Sequence, residues 1–197
     1  MKKILSLIFI CLFCICSCNN SNKSANNKSS DKDTIYNDNI QGVFFDTPFG
    51  ASKEELVKNF KKHGFYLNTY ISTDALLHFS PSQGSRFTFG NMGWDILDAG
   101  MYNGKFAYIR FMAASKDKAT VVNEYDKILS KVSQKYHMME EVPSDSTIYK
   151  ISTGYSRSNR IVSVSCFRYE SLSRQIFQGL QLIYRDENLE NAVSDEL

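Results

Sequence analysis

Three histidines are the first side chains to test for acid–base or metal chemistry. His63, His78 and His137 stand far apart, without the His-x-His or His-Glu-x-x-His spacing that brings two imidazoles onto one metal ion. His63 and His137 fall at the predicted C-termini of helices, where the helix dipole favours a cation. The histidines therefore indicate no metal site.

Serine, carboxylate and cysteine patterns also predict no catalytic residue. The chain has no Gly-x-Ser-x-Gly elbow on a strand-to-helix turn and no glycine-rich phosphate loop. Glu54-Glu55 and Glu140-Glu141 could form a glycosidase pair, but acidic residues in a first helical turn explain Glu54-Glu55 more simply. Cys166 is in register with Val162 and Val164, which favours a small core residue over a reactive thiol. We therefore expect no enzyme, no cofactor and no metal.

The N-terminal segment has the layout of a secretory signal. Two lysines precede the mostly apolar residues 4–16, which as a helix would reach about 20 Å, against about 30 Å of bilayer hydrocarbon. The run Ile15-Cys16-Ser17-Cys18 resembles a bacterial lipobox, although Cys16 stands where Ala, Ser or Thr is usual. This resemblance implies that residues 1–17 are removed and that Cys18 is acylated. An ordinary secreted protein is the alternative.

Lipidation at Cys18 predicts stable membrane attachment, because two or three acyl chains bind more tightly than one. We expect the bacterial cell envelope, and the outer membrane rather than the inner one. Four of the five cysteines lie in the signal or at its cut, so the mature body has no internal disulfide. The net charge of +2 comes from Lys2 and Lys3, so the mature chain has no basic field for nucleic acid.

Residues 18–39 are rich in Asn and Ser and too polar to fold, so we predict a disordered tether of roughly 25 Å behind the lipidated cysteine. Asp33-Thr34-Ile35 within it resembles the O-glycosylation acceptor of Bacteroidetes-type envelope proteins. Asp145-Ser146-Thr147, in a predicted loop, fits the same short pattern. Thr34 and Ser146 are therefore candidate glycosylation sites.

Residues 40–197 are expected to form a single α+β domain. A capping box from Ser52 to Glu55 and a stop at Gly64 predict a helix over 53–63, and apolar spacing predicts a second helix over 117–137. Asn103-Gly104 predicts a two-residue hairpin turn. We predict strands at 42–45, 76–79, 86–89, 94–102, 106–113, 147–152, 161–169 and 177–185, and a turn or short helix from Asp186. The order favours an antiparallel sheet with both helices on one face, and a tandem duplication of a helix-plus-three-strands unit.

Two resemblances bear on this domain. The stretch Val43–Phe65, the run Phe89-Gly90-x-x-Gly-Trp94 and the helix ending Lys135-Tyr136 resemble uncharacterised Bacteroidetes-type exported lipoproteins. These motifs mark caps, stops and turns rather than a reaction. The element order is similar to the tandem repeat of β-lactamase-inhibitor proteins and of small lipoproteins of outer-membrane assembly. That similarity implies binding rather than catalysis.

Aromatic residues make up 13% of the chain and occur on both faces of several predicted strands. If the helices cover the face that carries Ile109 and Val164, the other face carries side chains typical of interface hot spots: Tyr108, Arg110, Met112, Phe167 and Tyr169. A second helix layer or the C-terminal tail would be the alternative cover for this face. Trp94, beside glycines, is either a further surface anchor or a core residue. We expect a non-catalytic domain that binds an envelope protein, with a glycan- or small-ligand-binding module as the alternative.

Overall fold

The computed structural model describes residues 35–82, 86–171 and 173–191, so Cys18 and Thr34 lie outside the described residues. Within these ranges the predicted α+β class is confirmed, with antiparallel sheets and three helices. The helices are α1 (Lys53–Lys62), α2 (Lys118–Ser133) and α3 (Glu187–Asn191). The strands are β1 (Val43–Phe44), β2 (Thr47–Pro48), β3 (Phe65–Leu67), β4 (Leu76–Pro81), β5 (Phe87–Phe89), β6 (Met92–Trp94), β7 (Ile96–Tyr102), β8 (Lys105–Ser115), β9 (Met139–Glu141), β10 (Ile148–Tyr155), β11 (Arg160–Glu170) and β12 (Ile176–Asp186).

An eight-stranded antiparallel sheet forms the centre of the fold, with its strands in the order β3-β4-β7-β8-β12-β11-β10-β9. The two central strands, β8 and β12, pair from Ser115 opposite Gln178 to Tyr108 opposite Arg185. The edge strands β3 and β9 have three residues each. The pairs β1–β2 and β5–β6 form two separate two-stranded sheets.

The predicted start and stop signals of α1 are confirmed. The Ser52 side chain accepts a hydrogen bond from the backbone N–H of Glu55 at 3.3 Å. Gly64, just after the helix, has φ +82°, a conformation that glycine adopts without steric cost. The sequence around α1 therefore contains the local information that sets both of its ends.

The second helix is shorter than predicted, because α2 ends at Ser133 rather than near residue 137. Its start is fixed by the Asp117 carboxylate, which accepts a hydrogen bond from the backbone N–H of Thr120 at 2.7 Å. His137 lies beyond the helix, and its backbone N–H donates to the Asn37 side chain at 2.6 Å. The interpretation of His137 as a cation in the last helical turn is therefore wrong.

The hydrophobic core lies on one face of the eight-stranded sheet. The ring of Phe60 from α1 lies 4.8 Å from that of Phe79 on β4, and the Tyr125 hydroxyl of α2 is hydrogen-bonded to Ser152 Oγ on β10 at 2.7 Å. Every second residue of the central strands enters this core, and each of the following is buried: Leu97, Ile109, Phe111, Val162, Val164, Cys166, Leu180 and Leu182. Burial raises the pKa of the Cys166 thiol.

Two differences from the predicted strands have simple physical reasons. Strands β2, β3 and β9 were not predicted, because two or three residues are too few to show a period of two. The predicted strand 94–102 is interrupted at Asp95, whose carboxylate pairs with Arg86 at 2.7 Å and accepts the Ala114 backbone N–H at 3.0 Å. This break lets β6 leave the large sheet and pair with β5.

Candidate functional site

The candidate site is the side of the eight-stranded sheet opposite the core, which we call the open face. One row of cross-strand neighbours defines it: His78, Asp98, Arg110, Ile183, Ser163 and Thr153. The predicted alternation of β8 is confirmed, because Tyr108 and Met112 flank Arg110 on this face while Ile109 and Phe111 enter the core. By the same alternation Phe167 and Tyr169 of β11 share the open face. Five of the six predicted residues therefore lie on this face, although Met112 is buried there rather than exposed.

The sixth predicted residue, Trp94, is a core residue and does not belong to the open face. Its side chain is 1% exposed, its ring lies 5.8 Å from that of Phe111, and its Nε1–H donates to the carbonyl of Phe89 at 3.1 Å. The interruption at Asp95 explains this, because it turns β6 away from the sheet. Of the two alternatives for Trp94, the structure supports the core residue.

Asp98 is the most unusual residue of the open face, because it is fully buried there. Its Oδ1 lies 2.6 Å from His78 Nδ1, and its Oδ2 accepts hydrogen bonds from Arg110 Nε at 3.0 Å and from Arg110 Nη2. The partners come from the strands on either side of β7. These charge-assisted hydrogen bonds offset the cost of removing the carboxylate from water and join three strands.

Two glycines allow aromatic rings to lie against the sheet on this face. A Cβ at Gly100 would stand 1.8 Å from Tyr108 Cε1, and one at Gly179 would stand 2.5 Å from Phe167 Cζ. Each ring therefore occupies the space above the glycine directly opposite it on the neighbouring strand. This arrangement turns Tyr108 and Phe167 into flat, well-positioned parts of the face.

An aromatic cluster continues from Phe167 along the end of β11 and the start of β12. The ring of Tyr169 lies 5.9 Å from that of Phe167 and stacks on Phe177 at 5.8 Å with an interplanar angle of 23°. All three side chains are half-buried. The cluster therefore leaves aromatic surface exposed to solvent on rigid strands. Phe177 was not among the predicted residues, although its position opposite Tyr169 in the predicted strands could have indicated it.

The other end of the open face is covered by α3, so the tail buries part of the face. Ile161, which pairs with Arg185 on this face, is 2% exposed. Burial raises the pKa of the Glu190 carboxyl, and Arg185 partly opposes the shift. Burial also raises the pKa of the Tyr108 hydroxyl, and Arg110 partly opposes that shift. The aromatic cluster lies at the end of the face away from α3.

Tyr155 and Tyr169 of the open face are neutral hydrogen-bond donors at physiological pH. Burial and a 2.7 Å hydrogen bond to Glu141 raise the pKa of Tyr155 to about 12, and burial raises the pKa of Tyr169. Within the described ranges, no group of three His, Cys, Asp or Glu side chains is placed to hold a metal ion. The geometry of this face suits contact with apolar and hydrogen-bonding surfaces.

Ser146, one of the two candidate glycosylation sites, is exposed in a turn before β10. The Asp145 carboxylate accepts the backbone N–H of Thr147 at 2.7 Å, which holds the turn. Glycosylation of Ser146 stays a prediction.

Among the described residues no helix is long and apolar enough to cross a bilayer. Comparison with protein-family profiles, with curated proteins and with solved structures found no match to this chain. The resemblances drawn from the sequence therefore stay predictions.

Proposed function

We propose that this chain is a lipid-anchored, non-catalytic binding protein of the bacterial cell envelope, and that it holds another envelope protein through the open face. The single observation that carries the proposal is the half-buried aromatic cluster of Phe167, Tyr169 and Phe177 on that face. Aromatic side chains, Met and Arg are enriched in the parts of protein surfaces that bind other proteins.

The construction of the face supports the same proposal. Its aromatic rings stand on internal strands, and Phe167 lies against Gly179, so little side-chain freedom is lost when a partner docks. Arg110 adds a guanidinium that is 31% exposed and already oriented by Asp98. A face with fixed apolar rings beside an oriented cation can select a partner by shape and by charge.

An enzymatic role is less well supported by the same geometry. Asp98 orients His78, as a carboxylate does for a general base, but Arg110 shares that carboxylate. In the described part of the chain no Ser, Thr or Cys side chain is hydrogen-bonded to the His78 ring. The Ser72 hydroxyl is hydrogen-bonded to the backbone of His78 and not to its ring. The cluster therefore has the connectivity of a structural support for the face.

We also propose that α1 and α2 share the core face and that the chain arose by tandem duplication. The sheet order supports this, because α1 precedes β3, β4, β7 and β8 while α2 precedes β9, β10, β11 and β12. Each set of four runs from an edge of the sheet to its centre, where β8 meets β12. This arrangement agrees with the similarity in element order to the tandem repeat of β-lactamase-inhibitor proteins that the sequence predicts.

The anchor is tested by replacing the predicted lipidated residue. Cys18→Ala is expected to move most of the protein from the membrane fraction to the soluble fraction, because acyl chains supply the attachment. Cys16→Ala, two residues earlier in the same signal, is the matched control and should stay with the membrane. Sucrose-gradient fractionation and immunoblotting measure both. If Cys18→Ala remains with the membrane as Cys16→Ala does, the anchor assignment is wrong.

The partner surface is tested by cross-linking in living cells. A photo-cross-linkable phenylalanine analogue at Tyr169 is expected to form an adduct with one envelope protein, because Tyr169 belongs to the aromatic cluster. The same analogue at Tyr70, which is 98% exposed in the loop between β3 and β4, should form no such adduct. Adding Phe167→Ala should lower the adduct at position 169 about tenfold or more, as expected for a hot-spot residue.

Three results would decide against the protein partner. Equal adducts from positions 169 and 70 would mean nonspecific collision, and an adduct unaffected by Phe167→Ala would place the contact elsewhere. If position 169 yields no protein adduct while oligosaccharides raise the Tm of the purified protein, a glycan-binding module replaces the proposal. The Tm of each variant, measured by circular dichroism, separates loss of binding from loss of fold.

A further inference from the structure

A second candidate site lies on the core side of the sheet, away from the open face. A cavity of about 440 Å³ opens between α2 and the β5–β6 hairpin, which we call the hairpin cavity. This volume falls in the range of small-molecule sites. Its apolar walls come from the hairpin, from α2 and from β12, through Phe89, Met92, Ile128 and Leu182.

Local structure holds the hairpin wall in place. Gly90 and Asn91 have φ +61° and +58°, the positive angles of a two-residue turn that pairs Phe89 with Met92. The Phe89 ring stacks on Phe111 of the sheet at 4.3 Å, with an interplanar angle of 6°. The cavity is therefore bounded on this side by a fixed element.

Tyr184 places a hydroxyl in this apolar space without a protein partner. The residue is 4% exposed and lines the cavity, yet no described residue is hydrogen-bonded to its hydroxyl. By contrast, the Tyr136 hydroxyl beside it in the lining accepts the Gln41 backbone N–H at 3.3 Å. Burial raises the pKa of Tyr184, so its hydroxyl is a donor at neutral pH. No buried side-chain polar atom of the described residues lacks a partner, so this hydroxyl must be open to the space of the cavity. A ligand that brings an acceptor can therefore replace the water that meets it there.

The cavity lining also carries positive charge. Lys131 is in the last turn of α2, and Lys135 is in the turn just after the helix. Both line the cavity, and neither is within ion-pair distance of a described carboxylate. Lys127, one turn earlier, differs, because it pairs with Glu124 at 2.7 Å and does not line this cavity. The helix dipole favours a cation at Lys131, and both lysines are exposed, so their ammonium groups are available to an anion.

From these observations we infer that the hairpin cavity binds a small apolar carboxylate of the medium-chain fatty-acid kind. Its hydrocarbon part packs between the hairpin and α2, and its carboxylate accepts a hydrogen bond from Tyr184 and is balanced by Lys131 and Lys135. This site is independent of the open face, so the chain can hold a ligand and a protein partner at the same time.

The test uses the single tryptophan of the chain, Trp94, which lines the cavity. Titration with 11-bromoundecanoate, a fatty acid whose bromine quenches tryptophan by contact, is expected to quench Trp94 fluorescence saturably. Bromoundecanol, which has the same chain without the charge, should bind about tenfold more weakly. A tenfold difference in affinity corresponds to the free energy that a charge-assisted hydrogen bond and an ion pair together contribute.

Three variants make the assignment specific. Tyr184→Phe should lower the affinity for 11-bromoundecanoate about tenfold. It should not lower the Tm, because the Tyr184 hydroxyl has no hydrogen bond to a described residue that the variant would lose. Lys131→Gln should weaken binding several-fold and reduce its dependence on salt. Lys127→Gln, the matched control, should leave binding unchanged. Equal quenching by the acid and the alcohol, no saturation below the micellar concentration, or wild-type affinity in both Tyr184→Phe and Lys131→Gln would each overturn the inference.

Discussion

Replacing Phe111 by Ala is expected to lower the free energy of unfolding by about 4 kcal/mol, the usual cost of removing a fully buried phenylalanine. Phe111 is fully buried, and its ring centroid lies 4.3 Å from that of Phe89 and 5.8 Å from that of Trp94. The variant would lose both contacts and leave a void between the sheet and the β5–β6 hairpin. Urea unfolding monitored by circular dichroism and by Trp94 fluorescence measures the change.

The matched control for Phe111 is Phe177, a half-buried phenylalanine on the open face. Phe177→Ala should cost about 1 kcal/mol, because part of its surface already contacts water. Trp94 emission should shift to longer wavelength in Phe111→Ala, since water gains access to the void, and stay unchanged in Phe177→Ala. If the two variants lose equal stability, the assignment of the two faces is wrong.

Replacing Arg110 by Met is expected to lower the free energy of unfolding by about 3 kcal/mol. The substitution keeps much of the aliphatic volume but removes two hydrogen bonds from the fully buried Asp98. A buried carboxylate that loses one of its partners retains the cost of its desolvation. Because His78 still contacts Asp98, the loss should fall at the lower end of the range for a broken buried pair.

Arg185→Met supplies the comparison, since Arg185 is also on the open face but its partner Glu187 is 3.8 Å away and partly exposed. That variant should lose less than about 1 kcal/mol. Adding Asp98→Asn to Arg110→Met should recover part of the stability, because no unpaired carboxylate then remains. Without any recovery in the double variant, the penalty would have to come from lost packing of the Arg110 stem.

The parts of the fold that were predictable depend on short-range signals. The start of α1 follows from Ser52 and Glu55, and the turn between β7 and β8 follows from Asn103-Gly104, whose φ angles are +48° and +70°. The alternation along β8 separates Arg110 from Ile109 without any knowledge of the neighbouring strands. These features are encoded within a few residues of one another, so a single sequence is enough to find them.

The Asp98 cluster depends on long-range information and was not predicted. Counting outward from the Asn103-Gly104 turn would pair Asp98 with Ile109, which is a core residue. The register shift between Gly100 and Met101 instead places Asp98 opposite Arg110. No local pattern reveals that shift, and the contribution of His78 requires β4 to pair with β7 as well.

The burial of Trp94 and the covering of the open face by α3 could not be predicted either, because both depend on long-range contacts. Trp94 enters the core because Asp95 is bound by Arg86 and by the backbone of Ala114, 19 residues further along the chain. The position of α3 beside β8 and β11 depends on where β12 ends in the assembled sheet. Each of these outcomes is decided by tertiary contacts rather than by the composition of its own segment.

The short edge strands of the sheet should prevent copies of this protein from associating edge to edge when they are crowded together. Longer strands, such as β8, β11 and β12 with eleven residues each, are inside the sheet, whereas β3 and β9 offer only three residues to a neighbour. If the proposed lipid anchor holds the chain on one membrane, its copies meet each other far more often than copies free in solution. An edge of three residues gives a second copy too few backbone hydrogen bonds to extend the sheet sideways, so dense arrays of this protein should not polymerise into fibres.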